Sequence, residues 1–183
     1  LAYGTDASFY RLIPKIVIKT DNAKEVQDII ELSNSMNLSI TFRAGGTSLS
    51  GQAISDSILI ITSRNFSNFK IASDVSYISL EPALTGAQVN GLLARYSKKI
   101  GPDPASINAA MIGGIAANNA SGMCCGISQN SYKTLKSMKL IFSDRTKLNT
   151  SCEKSKDTNK KTHDEFLKDL KSFSDDTKAN EEL

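Results

Sequence analysis

Residues 43–52, RAGGTSLSGQ, set Gly45, Gly46 and Gly51 among Thr47, Ser48 and Ser50, directly after the apolar alternation Leu38 to Phe42. Glycines let successive backbone N–H groups turn toward one point, and such a cluster of donors suits a pyrophosphate. The hydroxyls add further donors. The same composition also builds plain connecting turns, so the loop alone leaves both readings open. Two more small-residue segments follow. GPDPAS, Gly101 to Ser106, carries two prolines and must be a fixed turn rather than regular helix or central strand. MIGGIAANNASG, Met111 to Gly122, reads as a short, tightly packed helix or loop. There Gly113-Gly114 permits close backbone approach, and Asn118, Asn119 and Ser121 supply neutral donors, although paired glycines also serve helix–strand packing. Glu81-Pro82-Ala83 adds a fourth element of this kind. Together these segments suit a long, flat, polyanionic ligand.

Other chemistries fail on spacing. No Walker loop is present and no GxGxxG, and a GxSxG elbow at Ser48 is lost because Ser50 stands where glycine is needed. The single histidine, His163, lies in the C-terminal tail, so neither a Ser–His nor a Cys–His pair is credible and no catalytic residue is assigned. Cys124 and Cys125 are adjacent, with no Cys-x-x-Cys, and three cysteines in all are too few for an iron–sulfur cluster. No metal ligand is assigned. The pair reads as small buried packing residues beside Gly122 and Gly126.

The elements that must position these loops are readable from periodicity. Ile16 to Ile18 is a short strand. Ala23 to Met36 carries Val26, Ile29, Ile30 and Leu32 at helical spacing, and Asn22 with Glu25 forms a capping box. Leu38 to Phe42 is the next strand, and the crossover implies that the two form a parallel pair. Ile58 to Ile61 is another strand. A second strand–helix pair spans Tyr77 to Glu81 and Ala87 to Tyr96. Met138 to Phe142 and Lys147-Leu148 flank Ser143-Asp144-Arg145 as a hairpin. After Thr150 only the stretch at about 163–173 has an apolar seam, at Phe166, Leu167, Leu170 and Phe173.

Composition sets the frame. The 183 residues are enough for one domain and an appendage, and 40% hydrophobic with 22% charged residues is ordinary for a globular chain. A net charge of +3 without a basic stripe argues against a nucleic-acid partner. Residues 1–150 hold 15 basic and 10 acidic side chains, and 151–183 hold 7 and 9, so the tail is a different polymer. The odd cysteine count fits a reducing compartment, and no window approaches 18 apolar residues. The chain opens on Leu1 and closes in a charged stretch, which reads as a piece of a longer protein.

The ordered series FRAGGTSLSGQ (Phe42 to Gln52), GPDPASINAAMIGGIAANNASGMCCG (Gly101 to Gly126) and NSYKTLKSMKLIFSD (Asn130 to Asp144) resembles the FAD-linked oxidase domain of the vanillyl-alcohol oxidase and p-cresol methylhydroxylase superfamily. More narrowly, it is similar to the D-lactate and D-2-hydroxyglutarate dehydrogenase branch, whose longer members carry iron–sulfur modules. The resemblance runs from about Tyr3 to Leu148. It implies an α+β, p-cresol-methylhydroxylase-type fold: an N-terminal strand–helix–strand subdomain and part of a second mixed α/β subdomain, incomplete over 1–150, followed by a charged tail. It implies that Arg43, Ala44, Gly45, Gly46, Thr47 and Ser48 wrap the FAD pyrophosphate. Pro102, Asp103, Ser106, Ile112, Gly113, Gly114, Asn118, Ser121 and Gly122 would then hold the flavin side.

The loop has no histidine, so the FAD would be noncovalent. Asp144-Arg145 stands where relatives have Asp-Gly, suggesting a less strained hairpin. The implied activity is oxidation of a D-2-hydroxyacid by the full-length enzyme, with electrons passed to a quinone or redox protein; catalytic residues and any iron–sulfur cluster would lie outside this chain. Alternatives are an ether-lipid synthase, an aldonolactone oxidase or a noncatalytic nucleotide-binding module. The implied location is cytoplasmic, with peripheral attachment at the inner face of the membrane open to the full-length protein, and self-association is an option for the piece alone.

Overall fold

The computed structural model describes residues 1–151 together with Lys168 and Ser172. It divides into two compact units between Lys136 and Ser137. The first unit begins with β1 (Ile16–Thr20), α1 (Ala23–Ser35), β2 (Ile40–Arg43) and β3 (Ile58–Thr62). All three strands run parallel, in the order β1-β3-β2, with Ile16 and Ile40 both opposite Ile58. The strands flanking α1 are therefore parallel as expected but do not pair with each other. β3 takes the centre because its four residues Ile58 to Ile61 are apolar on both faces and all buried. Neither Ile16, half exposed, nor Phe42 could fill that place at equal gain.

The α1 cap forms with one change. Asn22 accepts hydrogen bonds from the amides of Lys24 and Glu25, but Glu25 reaches back to the Asp21 amide (2.8 Å), one residue before the cap. The helix buries Val26, Ile30 and Ser33 and leaves Leu32 exposed.

A short antiparallel pair follows, β4 (Phe69–Ile71) with β5 (Ile78–Leu80). The periodicity shows β5 but not β4, whose three residues are too few for an alternation to register. Helix α2 (Gly86–Ala94) starts from a reciprocal box between Thr85 and Gln88 and gives way to a left-handed residue at Ser97 (φ 55°). Its buried residues Val89 and Leu93 join Leu84 in a core that Ile71, Ile78, Leu80, Ile100 and Ile112 cover. Two short helices close the unit, α3 (Ile112–Ala117) and α4 (Ser131–Thr134).

In the second unit β6 (Lys139–Ile141) and β7 (Lys147–Asn149) form the expected hairpin, with Leu140 opposite Leu148. Its turn corrects one expectation. Arg145 has φ 71°, so it sits in the left-handed region that glycine would occupy without penalty. The turn is more strained with arginine, not less. The seam of the helix expected at about 163–173 lies outside the described residues; Lys168 and Ser172 are helical and exposed.

Candidate functional site

The loop between β2 and β3 is shaped by backbone rather than by side chains. Gly46 (φ 67°) and Gly51 (φ 72°) both adopt the left-handed conformation. None of the amides from Ala44 to Ser48 donates a hydrogen bond to another described residue, although all five residues are partly buried. Unpaired and half-buried backbone donors are costly unless something accepts from them. Five in succession, hinged at a left-handed glycine, form the kind of concavity that suits an anion.

The loop hydroxyls do not all face a ligand. Ser48 Oγ donates to Gln52 Oε1 (3.0 Å) and accepts from the amides of Ser50 (3.1 Å) and Gln52 (3.3 Å). It therefore folds the loop instead of adding a free donor, which corrects the reading of that hydroxyl.

Behind the loop lies a brace that no motif announces. Arg43 Nη1 donates to the carbonyls of Thr5 (2.7 Å) and Ala53 (3.2 Å), and its guanidinium lies 5.9 Å from the centre of the Tyr3 ring. Gly46 O accepts from the Ala7 amide (3.1 Å). Asp6 accepts from the Ser8 amide and hydroxyl and from the Ala53 amide. Partial burial opposes the Asp6 charge, but these hydrogen bonds and the field of Arg43 outweigh it and hold the carboxyl below its ordinary value. A lone aspartate ten residues ahead of the first strand carries no sequence signal of such a role.

The glycine-rich segments meet at one surface, and the contacts show what the missing side chains are for. A Cβ on Gly45 would collide with the Ala109 carbonyl, and one on Gly122 with Asp103. A Cβ on Gly113 would stand 2.8 Å from Pro82 Cβ, and one on Gly114 3.4 Å from Ala44 Cβ. The close approach at Gly113-Gly114 is thus made at least in part to protein. The Gly113 amide donates to Pro82 O (3.0 Å) and the Ile112 amide to Leu84 O (2.8 Å), pinning the start of α3 to the 81–84 segment. The first amides of α2 are taken as well, Gly86 by Ala110 O and Ala87 by Ile107 O, both at 3.0 Å.

The remaining candidates line the same region unevenly. Pro102 is buried, and Ser106 O accepts from the amides of Ala109 (2.8 Å) and Ala110 (2.7 Å), fixing the turn. Asp103 accepts from the Cys125 amide (3.1 Å). Desolvation opposes its charge, yet this bond, the adjacent thiols and Lys99 hold its carboxyl below the ordinary value. Asn118 and Ser121 are exposed at the end of α3. Asn119, left-handed at φ 45°, accepts from the Tyr132 amide (3.0 Å) and is therefore structural. Cys125 is buried as expected, whereas Cys124 is exposed, against the packing reading. No group of three or more His, Cys, Asp or Glu side chains able to hold a metal occurs among the described residues.

The chain is similar to D-2-hydroxyglutarate dehydrogenase of Pantoea ananatis, 28% identical over 126 residues, covering 67% of this chain and 12% of that protein. It is also similar to D-lactate dehydrogenase of Archaeoglobus fulgidus, 26% identical over 109 residues, covering 59% of this chain and 24% of that protein. The chain thus spans between 12% and 24% of the length of these relatives. Among solved structures, an alkyldihydroxyacetonephosphate synthase superposes with a TM-score of 0.63 at 16% identity, covering 76% of this chain and 28% of that one. The family described as "FAD binding domain" matches residues 14–151, from the entry to β1 through the β6–β7 hairpin. Since that span covers most of the sequence, the chain belongs to the FAD binding domain family, of the p-cresol methylhydroxylase type.

Proposed function

We propose that this chain supplies the cofactor cradle of a flavin-dependent dehydrogenase acting on a small D-2-hydroxyacid, D-2-hydroxyglutarate or D-lactate. The observation that carries the reading is the run of five unpaired amides from Ala44 to Ser48. These donors fit a pyrophosphate bridge, and the sequence has neither a Walker loop nor a GxGxxG motif to offer instead. The amides of Ala44, Gly45, Gly46, Thr47 and Ser48 would hold the pyrophosphate of FAD, with Arg43 at the base of the loop. Pro102, Asp103, Ser106, Ile112, Gly113, Gly114, Asn118, Ser121 and Gly122 would form the wall on the flavin side. The relatives' identity of 26–28% supports the substrate class.

When bound, FAD supplies the hydride-accepting ring. The chain's own contribution is to bind and orient. Unpaired amides would offset the pyrophosphate charge, the close approaches at Gly45 and Gly113 keep the wall dense, and the buried Pro102 would exclude water beside it. A base for the hydroxyl proton and an acceptor for the electrons, a quinone or a redox protein, belong to other parts of the full natural polypeptide or to its partners.

The test is direct. The full polypeptide should purify with an oxidised-flavin absorbance band that bleaches anaerobically on adding D-2-hydroxyglutarate or D-lactate, and not with the L-enantiomers. A flavin band that bleaches with neither acid would remove the substrate assignment, and a colourless, FAD-indifferent polypeptide would remove the cradle.

A further inference from the structure

A loop of unpaired amides has no hydrogen bonds of its own along that stretch to keep its shape, so its rigidity must come from what grips its carbonyls and its ends. Arg43 and Asp6 do this. Arg43 is the last residue of β2, and its Nη1 bonds both Thr5 O (2.7 Å) and Ala53 O (3.2 Å), joining the N-terminal segment to the far end of the loop. Asp6 bonds the Ala53 amide (3.3 Å) of that same residue from the opposite side. Between them, the Ala7 amide holds Gly46 O (3.1 Å). The guanidinium lies against Gly46 itself: a Cβ there would be 2.5 Å from Nη2 and 2.8 Å from Cζ.

We propose that Arg43 and Asp6 are positioning residues that set the anion-binding shape of the Gly45 to Ser48 amides from behind, Arg43 acting through the carbonyls of Thr5 and Ala53 and not by pairing with a phosphate. This rests on the reading of the loop as a pyrophosphate cradle. It also explains why the last position of β2 is an arginine. A planar, multidentate donor can hold a neighbouring chain segment and lie flat beneath a glycine at once, which a lysine cannot do in the same geometry.

The experiment measures FAD dissociation constants by fluorescence quenching in the full polypeptide, for wild type, Arg43→Met, Asp6→Asn, Gly46→Ala and the Arg43→Met/Gly46→Ala double variant. Each is measured at about 0.05 M and about 0.5 M salt, across which a direct ion pair is strongly screened. The expected result is at least a tenfold weakening for Arg43→Met, equal at both salt concentrations, and at least a threefold weakening for Asp6→Asn. Arg43→Met should also cost less in the Gly46→Ala background, where the added methyl has already displaced the guanidinium. Loss of general stability would not produce the coupling to Gly46, and a direct ion pair would not produce the salt-independence.

A penalty for Arg43→Met that fades at high salt would overturn the proposal in favour of a direct phosphate contact, and affinity within twofold of wild type for Arg43→Met or Asp6→Asn would overturn it outright. Should Arg43→Met not fold, Asp6→Asn alone decides by the same threshold. Wild type that binds no FAD defeats the cradle, whereas wild type that binds with both variants unchanged defeats only the brace.

Discussion

At the scale of single residues, the proposed cradle rests on backbone geometry, which makes a clear prediction about substitutions. Gly46→Val should weaken FAD binding more than about a hundredfold, ~2.7 kcal/mol or more. A β-branched residue is strained at φ 67°, and its side chain would strike Arg43. Ser50→Ala should cost no more than about the 0.5–1.5 kcal/mol of one hydrogen bond, because only its amide is held, by Ser48 Oγ. Flavin fluorescence titration of the two variants separates these outcomes, and equal losses would contradict a backbone cradle. Residue types announced the glycines of this loop, because φ > 0 has few other solutions. They did not announce Asp6 or the inward turn of Ser48, because an aspartate or serine in a loop reads the same whether it bonds backbone or solvent.

At the scale of elements, the periodic segments were legible and the contacts between them were not. α1 and β3 follow from apolar spacing alone, and even the α1 cap is off by only one residue, at Asp21. The placing of β3 between β1 and β2 depends on competition among three strands for the buried centre, which no local pattern expresses. The glycine pairs show the same limit. Sequence marks them as places of close approach, but only the packing shows that Gly113 meets Pro82 and Gly45 meets Ala109. The β6–β7 turn yields a prediction at this scale. Arg145→Gly should stabilise the hairpin by about 1 kcal/mol by removing the left-handed penalty. Amide hydrogen exchange at Leu140 and Leu148 should slow accordingly, and unchanged or faster exchange would argue against strain at that turn.

At the scale of the whole molecule, four carboxylates, Asp6, Asp21, Asp74 and Asp103, are all held below their ordinary value of 3.8. Partial burial opposes the charges of Asp6 and Asp103 and is outweighed by hydrogen bonds, while Asp21 is held chiefly by Ser63 and Asn65 and Asp74 by Ser76. Groups with depressed folded values contribute stability that is fully present above the unfolded value and lost as pH falls through the folded one. The urea midpoint should therefore be flat from neutral pH to about 5 and fall below about 4, and Asp6→Asn should flatten part of that fall. A midpoint that rises on acidification would show that these groups are not stabilised as carboxylates. Asp21 and Asp74 are exposed and Asp6 and Asp103 only partly buried, so the effect should be modest.

The strand order has a consequence for assembly in time. Because β3 lies between β1 and β2 yet follows both in the chain, the first two strands have no sheet to join until Ile58 to Thr62 has been made. The cradle loop is the very segment that links β2 to β3, so its ends are brought together only when that last strand inserts. A nascent chain emerging from the ribosome would therefore expose β1, α1 and β2 as unpaired pieces and acquire both its sheet and the closed form of this loop in a single late step. Its rate should be set by closing contacts distant in sequence rather than by forming the helix.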